Sequence, residues 1–241
     1  MYALLIKEIR SFLSSLIGYV VITVFLLLMG LFMWVFPGNV LESGFANLEV
    51  LFWNAPYIFM FLIPAICMRS FSEEKRSGTI ELLFTRPITD FQIILAKYLA
   101  GVVLVLISLL PTFIYYYSIL QLGDPVGNLD RGGTWGSYVG LLLLGSGFVA
   151  IGIFASAIST NQVIAFIIAI FFCFFTYIGF EMIGSYEMMG QFDSFVINLG
   201  INEHYISMRR GVIDSRDLIY FFSLISLFLL ATKTVLASRK W

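Results

Sequence analysis

The sequence predicts an all-α integral membrane protein with six transmembrane helices, and three observations carry that prediction. The first is composition: of 241 residues, 60% are hydrophobic and 12% charged, with mean hydropathy +0.95, where a soluble domain carries about 25% charged residues. The second is run length. The apolar stretches are continuous and near the ~20 residues a membrane helix needs, whereas barrel strands read as alternating stripes of about ten. The third is where the charge sits. Of the 29 Asp, Glu, Lys and Arg residues, nine fall between Met68 and Lys97: Arg69, Glu73, Glu74, Lys75, Arg76, Glu81, Arg86, Asp90 and Lys97. Such a window between two apolar segments is a loop pushed out of the bilayer into water. A net charge of −1 implies no basic nucleic-acid face.

Met1 to Ser15 reads as an amphipathic lead-in. Leu4, Leu5, Phe12 and Leu16 fall near helical spacing and Lys7, Glu8 and Arg10 gather on another side. It suits the membrane interface, with a plain extension of the first helix as the alternative. The run after it lacks a small-residue cleavage site and reads as a retained helix. The first span is Leu16 to Phe36, ended by Pro37-Gly38-Asn39. The second, Phe52 to Cys67, is short and holds Pro56 and Pro64, which predict a kink or tilt. The third, Phe91 to Leu122, is long, with Pro111 inside it. A turn-rich loop, Gly123 to Thr134, leads to the fourth, Trp135 to Ile158. The fifth is Val163 to Ile183. Residues 184–217 form a polar outer segment, and the sixth span is Leu218 to Leu236. One transmembrane unit, 1–241, is expected, without internal repeat.

The charged window is patterned. Ser70 with Glu73 fits a capping box opening a short helix, and Thr89 with Gln92 fits a second one opening the third span. Gly78 suits a left-handed helix stop. Ile80, Leu82, Leu83 and Phe84 form an apolar run that Arg86-Pro87 breaks. The expectation is an ordered helical elbow over 68–92 with exposed apolar residues, a surface shaped to meet another protein. Lys and Arg counting orients it. One side collects Lys7, Arg10, Arg69, Lys75, Arg76, Arg86, Lys97, Lys233, Arg239 and Lys240; the other has Arg131, Arg209, Arg210 and Arg216. That bias puts both termini and the elbow in the cytoplasm.

Few residues suggest chemistry. No Gly-x-x-x-x-Gly-Lys-Ser/Thr loop is present, so no ATP hydrolysis of the P-loop kind is expected of this chain. Cys67 and Cys173 lie in apolar runs and read as buried thiols before a disulfide or a metal pair. His204, the single histidine, next to Glu203, makes a poor metal site where three or more ligands are usual. Gly145-Ser146-Gly147 with His204 as base would be an intramembrane serine hydrolase, but the span and the outer segment separate the two. The small residues of the fourth span, from Gly140 to Ser156, favour close helix packing over a water-lined pathway. Glu181, near the outer end of the fifth span, is a candidate for a proton or substrate role or for the start of a re-entrant segment. Asp214-Ser215-Arg216-Asp217 can cap the sixth helix.

Ser72-Glu73-Glu74-Lys75-Arg76-Ser77-Gly78-Thr79-Ile80-Glu81-Leu82-Leu83 resembles the cytoplasmic loop of ABC-2-type transporter permeases. His204-Tyr205, Arg210-Gly211-Val212-Ile213-Asp214 and the closing Ser238-Arg239-Lys240-Trp241 also fit that family. Phe113-Ile114-Tyr115, Pro125-Val126-Gly127-Asn128 and Asn161-Gln162-Val163-Ile164-Ala165-Phe166 look like the gliding-motility-associated permease subunits (GldF type) of Bacteroidota. The resemblance implies a six-helix ABC-2 (type V exporter-like) permease fold. It places a cytoplasmic coupling helix between spans two and three and a re-entrant outer segment before the last helix. It further implies a non-catalytic subunit of the bacterial inner membrane that lines a translocation path. ATP and Mg would be bound by a partner ABC ATPase, and no cofactor by this chain. The other expected partners are a second permease chain or a homologous membrane partner with an extracytoplasmic domain, and membrane lipids. The ATPase contact would fall on Glu73, Glu74, Lys75, Arg76, Gly78, Thr79, Glu81, Leu82, Leu83 and Arg86. A structural scaffold of a motility or secretion machine is the alternative.

Overall fold

The computed structural model describes residues 1–84, 88–185, 190 and 193–238, with the side chains of 82–84 excepted. Among them the regular structure is helical. The chain runs α1 (Tyr2–Leu13), α2 (Leu16–Trp34), α3 (Val40–Ser43), α4 (Glu49–Cys67), α5 (Arg69–Arg76), α6 (Thr79–Phe84) and α7 (Asp90–Leu109). A 3-10 turn (Leu110–Thr112) leads to α8 (Phe113–Leu122), then α9 (Arg131–Ile158) and α10 (Gln162–Phe174). A π-helical turn (Phe175–Gly179) follows, and then α11 (Phe180–Ser185), α12 (Asp193–Ile197), α13 (Ile201–Arg209) and α14 (Ser215–Ala237). Six helical stretches are long and apolar enough to cross a membrane: Leu16–Trp34, Glu49–Arg76, Asp90–Leu122, Arg131–Ile158, Gln162–Ser185 and Ser215–Ala237. The fold is therefore the all-helical, six-span one expected.

α9 is the axle. It packs against α4, α5, α7, α10, α13 and α14, and its small residues are what let them in. A Cβ on Gly140 would sit 2.5 Å from the Met208 Cβ, and one on Gly152 would sit 2.6 Å from the Cys67 Cβ. Both gaps are too short for any side chain, so the small residues serve backbone approach.

α4 carries Pro56 in its interior. Proline has no N–H to give the carbonyl four residues back, here that of Phe52. The Tyr205 hydroxyl, fully buried on α13, donates to that carbonyl at 2.8 Å. The far-end segment thus repairs a backbone defect in the second span. Pro111 sits in the 3-10 turn that interrupts the third span. The turn's Thr112 hydroxyl pairs with the Tyr138 hydroxyl of α9 at 3.0 Å.

Several boundaries differ from expectation. The second span starts at Glu49, not Phe52, and continues as helix through Arg76, because the elbow stacks directly on α4. The fourth starts at Arg131, not Trp135: the Asp130 carboxylate accepts the Gly133 N–H at 2.9 Å and caps the helix before the two glycines. Leu16 does not share the face of Leu4. Leu4 is buried, but Leu16 is 80% exposed, since the helix breaks at Ser14-Ser15 and the Ser15 hydroxyl restarts it by accepting the Gly18 N–H at 3.1 Å.

Candidate functional site

The elbow is built from α5 and α6. Gly78 has φ +71° and ends α5 as expected. Thr89 and Gln92 make both halves of the expected capping box. The Ser70–Glu73 box does not form: α5 has no side-chain cap of its own. Its free N–H groups are met from elsewhere. The Ser156 hydroxyl of α9 accepts from Phe71 N at 2.9 Å and Ser72 N at 3.1 Å, and donates to Met68 O at 3.0 Å. One small side chain on the axle therefore holds both strokes of the helix break at Met68. Ser70 contributes its carbonyl instead, as an acceptor for Lys97.

Lys97 lies two turns inside α7, and its side chain is 1% exposed. An unpaired charge at the bilayer centre costs ~2.5–3.5 kcal/mol on insertion scales, and less toward the end of a span. It is paired fully. Its Nζ reaches Ser70 O at 2.7 Å, Glu74 Oε1 at 2.9 Å and Glu8 Oε1 at 3.1 Å, which uses all three ammonium donors. The ring of Phe71 lies 5.1 Å from Nζ. Lys7 stands 3.5 Å from Glu8 and 3.8 Å from Glu74, so two cations face two carboxylates. This clip joins α1, α5 and α7. Lys75 donates to Ala157 O at the end of α9, adding a fourth helix. A cavity of about 290 Å³ opens beside the clip between α1, α5 and α7.

The predicted contact residues divide by where they point. Glu73, Arg76, Gly78, Thr79 and Glu81 are exposed, with Glu73 in an ion pair with Arg69 at 3.3 Å. Glu74 and Lys75 turn inward to Lys97 and to α9. Ile80 is buried, which corrects the expectation of exposed apolar residues for that position. The side chains of Leu82 and Leu83, and Arg86 altogether, lie outside the described residues, as do Arg239 and Lys240. Sequence reasoning missed Glu8 and Ser156 as parts of the elbow, and left Lys97 among the loop charges. A lysine two turns into an apolar helix was the one available signal, because such a charge demands a partner.

At the far end, His204 Nδ1 lies 2.7 Å from Asp217 Oδ1 and Nε2 lies 3.0 Å from Asn198 O. The ring stacks on Tyr220 at 3.9 Å. Ser146 donates to Leu142 O at 2.7 Å within its own helix. The serine-hydrolase pairing is therefore absent: both ring nitrogens are committed to other partners. Glu181 accepts from Asn202 at 2.7 Å, tying α11 to α13. Arg209 lies over the Trp53 ring at 4.2 Å, and Ser137 donates to Arg209 O at 2.7 Å. Burial holds the Tyr205 phenol well above its usual pKa. The Arg216 backbone N–H, donated to Asp214, lowers that carboxyl below its usual value. As expected, Asp214 caps α14.

Six apolar helices of membrane-spanning length, one of them the small-residue axle α9, with a charged helical elbow tied to α4, α7 and α9, make this a multi-pass membrane protein. The chain matches the model of the ABC-2 family transporter proteins over residues 2–240 and belongs to that family. No curated protein matches it.

Proposed function

We propose that this chain is the permease half of an ATP-driven transporter, moved through its elbow by a separate ABC ATPase that binds the ATP and Mg. The observation that carries the reading is the elbow's attachment. α5 continues α4, hangs on Ser156 of α9, and is clipped through Lys97 to α7 and α1. A push on α5 is therefore delivered to four helices as one lever, and not absorbed by a hinge. Family membership supplies the ATPase as partner. In this reading Glu73, Arg76, Thr79 and Glu81 meet the ATPase, while Glu74 and Lys75 hold the elbow in position. The excess of Lys and Arg on the elbow side supports a cytoplasmic elbow and cytoplasmic termini in the bacterial inner membrane. The subfamily resemblance of Pro125-Val126-Gly127-Asn128 and Asn161-Gln162-Val163 supports a gliding-motility transporter, with a second membrane chain completing the path.

The test is co-purification of the ATPase with tagged permease from native membranes. Glu73→Arg with Glu81→Arg should strip the ATPase while the thermal midpoint stays within about 2 °C, since exposed substitutions shift stability by only ~0.5 kcal/mol. Retention of the ATPase at wild-type ratio would refute the contact. Labelling of Ser77→Cys from outside intact cells would refute the orientation.

A further inference from the structure

Among the spans, α5 packs chiefly on α4, α9 and α10. Two of these are interrupted on the way to the far end. α4 carries Pro56 and Pro64, and α10 passes into the π-helical turn. Helices bend at such places. α9 has no proline and runs unbroken for 28 residues, about 42 Å at the helical rise.

The joint at its elbow end is reciprocal. Ser156, completely buried, caps α5 by accepting the Phe71 and Ser72 N–H groups. In return Lys75 of α5 donates to Ala157 O. That carbonyl is one of the last four of α9, which have no partner within the helix. A cation there also complements the negative end of the helix dipole. Each helix end completes the other, so the two move as one body. The joint at the other end is made largely of backbone. A Cβ on Gly136 would lie 2.5 Å from Gly211 O and 2.8 Å from Gly211 Cα, so α9 and the turn after α13 touch main chain to main chain. Beside it Ser137 donates to Arg209 O at 2.7 Å. Such a contact leaves no flexible side chain to give way.

We propose that α9 is a transmission rod, carrying displacement of the elbow to α13 at the far end. Ser156 is the positioning residue at one joint, and Gly136 with Ser137 at the other. The inference rests on the elbow being the ATPase contact, and adds where the push goes. From α13 it passes on to α4 through Tyr205 and to α14 through His204.

A route of this kind is established by breaking its joints. The far-end readout is the distance between spin labels at Val212→Cys, in the turn after α13, and Leu122→Cys, at the end of α8. Both positions are exposed, and the native Cys67 and Cys173 are buried away from the label. In the complex with its ATPase, a non-hydrolysable ATP analogue with Mg should shift that distance by about 2–5 Å, the scale of helix shifts in switching proteins. Ser156→Ala and Gly136→Ala should each reduce the shift to below about 1 Å while the ATPase still co-purifies. Ser137→Ala deletes only the hydrogen bond to Arg209 and should also reduce it. It remains informative if Gly136→Ala fails to fold. A wild-type complex without the shift, or a full shift in Ser156→Ala and Ser137→Ala, overturns the rod. The elbow joint is also tested in the chain alone. Ser156→Ala should speed amide hydrogen exchange across α5 about tenfold, the factor a lost helix cap supplies. Failure of any ATPase to co-purify with the wild-type chain would refute the proposed function instead. The exchange arm then decides the joint without it, and an unchanged exchange rate overturns the joint.

Discussion

Replacing Lys97 with methionine isolates the clip. Methionine keeps the apolar stem length and removes the charge, leaving Glu8 and Glu74 to share Lys7 alone, at 3.5 and 3.8 Å. Removing one partner of a buried pair costs ~3–5 kcal/mol, because the other charge stays buried. Here the carboxylate side chains keep 20% and 14% exposure, so the low end, about 3 kcal/mol, applies. A chain of this size loses about 2–4 °C of melting temperature per kcal/mol. The expected drop for Lys97→Met is therefore about 6–12 °C, read by thermal unfolding in detergent. The triple variant Lys97→Met, Glu8→Gln, Glu74→Gln removes every charged member of the clip except Lys7. It should recover most of the loss, since a buried ion cluster replaced as a whole is often neutral in stability. A single variant melting within about 2 °C of wild type, or a triple variant no better than the single, would show that Lys97 does not hold the elbow.

Tyr205→Phe deletes the hydroxyl that answers the Phe52 carbonyl orphaned by Pro56, and should cost about 1–3 kcal/mol for the unsatisfied buried acceptor. Adding Pro56→Ala to Tyr205→Phe restores the helical N–H and should recover that loss in the same melt; additive costs would refute the repair. Asp214 has a depressed carboxyl, so its cap contributes stability above the unfolded carboxyl value of about 3.9 and loses it as pH falls through the lower folded value. Asp214→Asn keeps a capping oxygen without a titrating group. Its melting temperature should match wild type near neutrality and fall less steeply in acid, and identical acid limbs would assign the loss to other groups.

How much was legible can be read from single residues. Gly78 and the Thr89–Gln92 box were legible because turn and cap chemistry is local: the partners lie within three residues and no distant atom competes. Ser70–Glu73 had the same local signature and did not form, because α5 already starts at Arg69, which puts Ser70 inside the helix, and Ser156 meets the Phe71 and Ser72 N–H groups from another helix. The inward turn of Glu74 and Lys75 was illegible for a related reason. On an eight-residue helix, the pattern of charge tells which residues are polar but not which of them finds a buried counter-charge.

The sequence by itself determined the class: long apolar runs cannot leave the bilayer and charged windows cannot stay in it, so the number of spans, the elbow and the small-residue axle follow from composition along the chain. Tertiary structure alone decided which polar groups meet inside. Ser156 with the Met68 break, Tyr205 with the Pro56 gap and Lys97 with Glu8 and Glu74 join residues between 23 and 153 positions apart. In an apolar surround every donor must find an acceptor, but helix packing, and not sequence distance, selects which one.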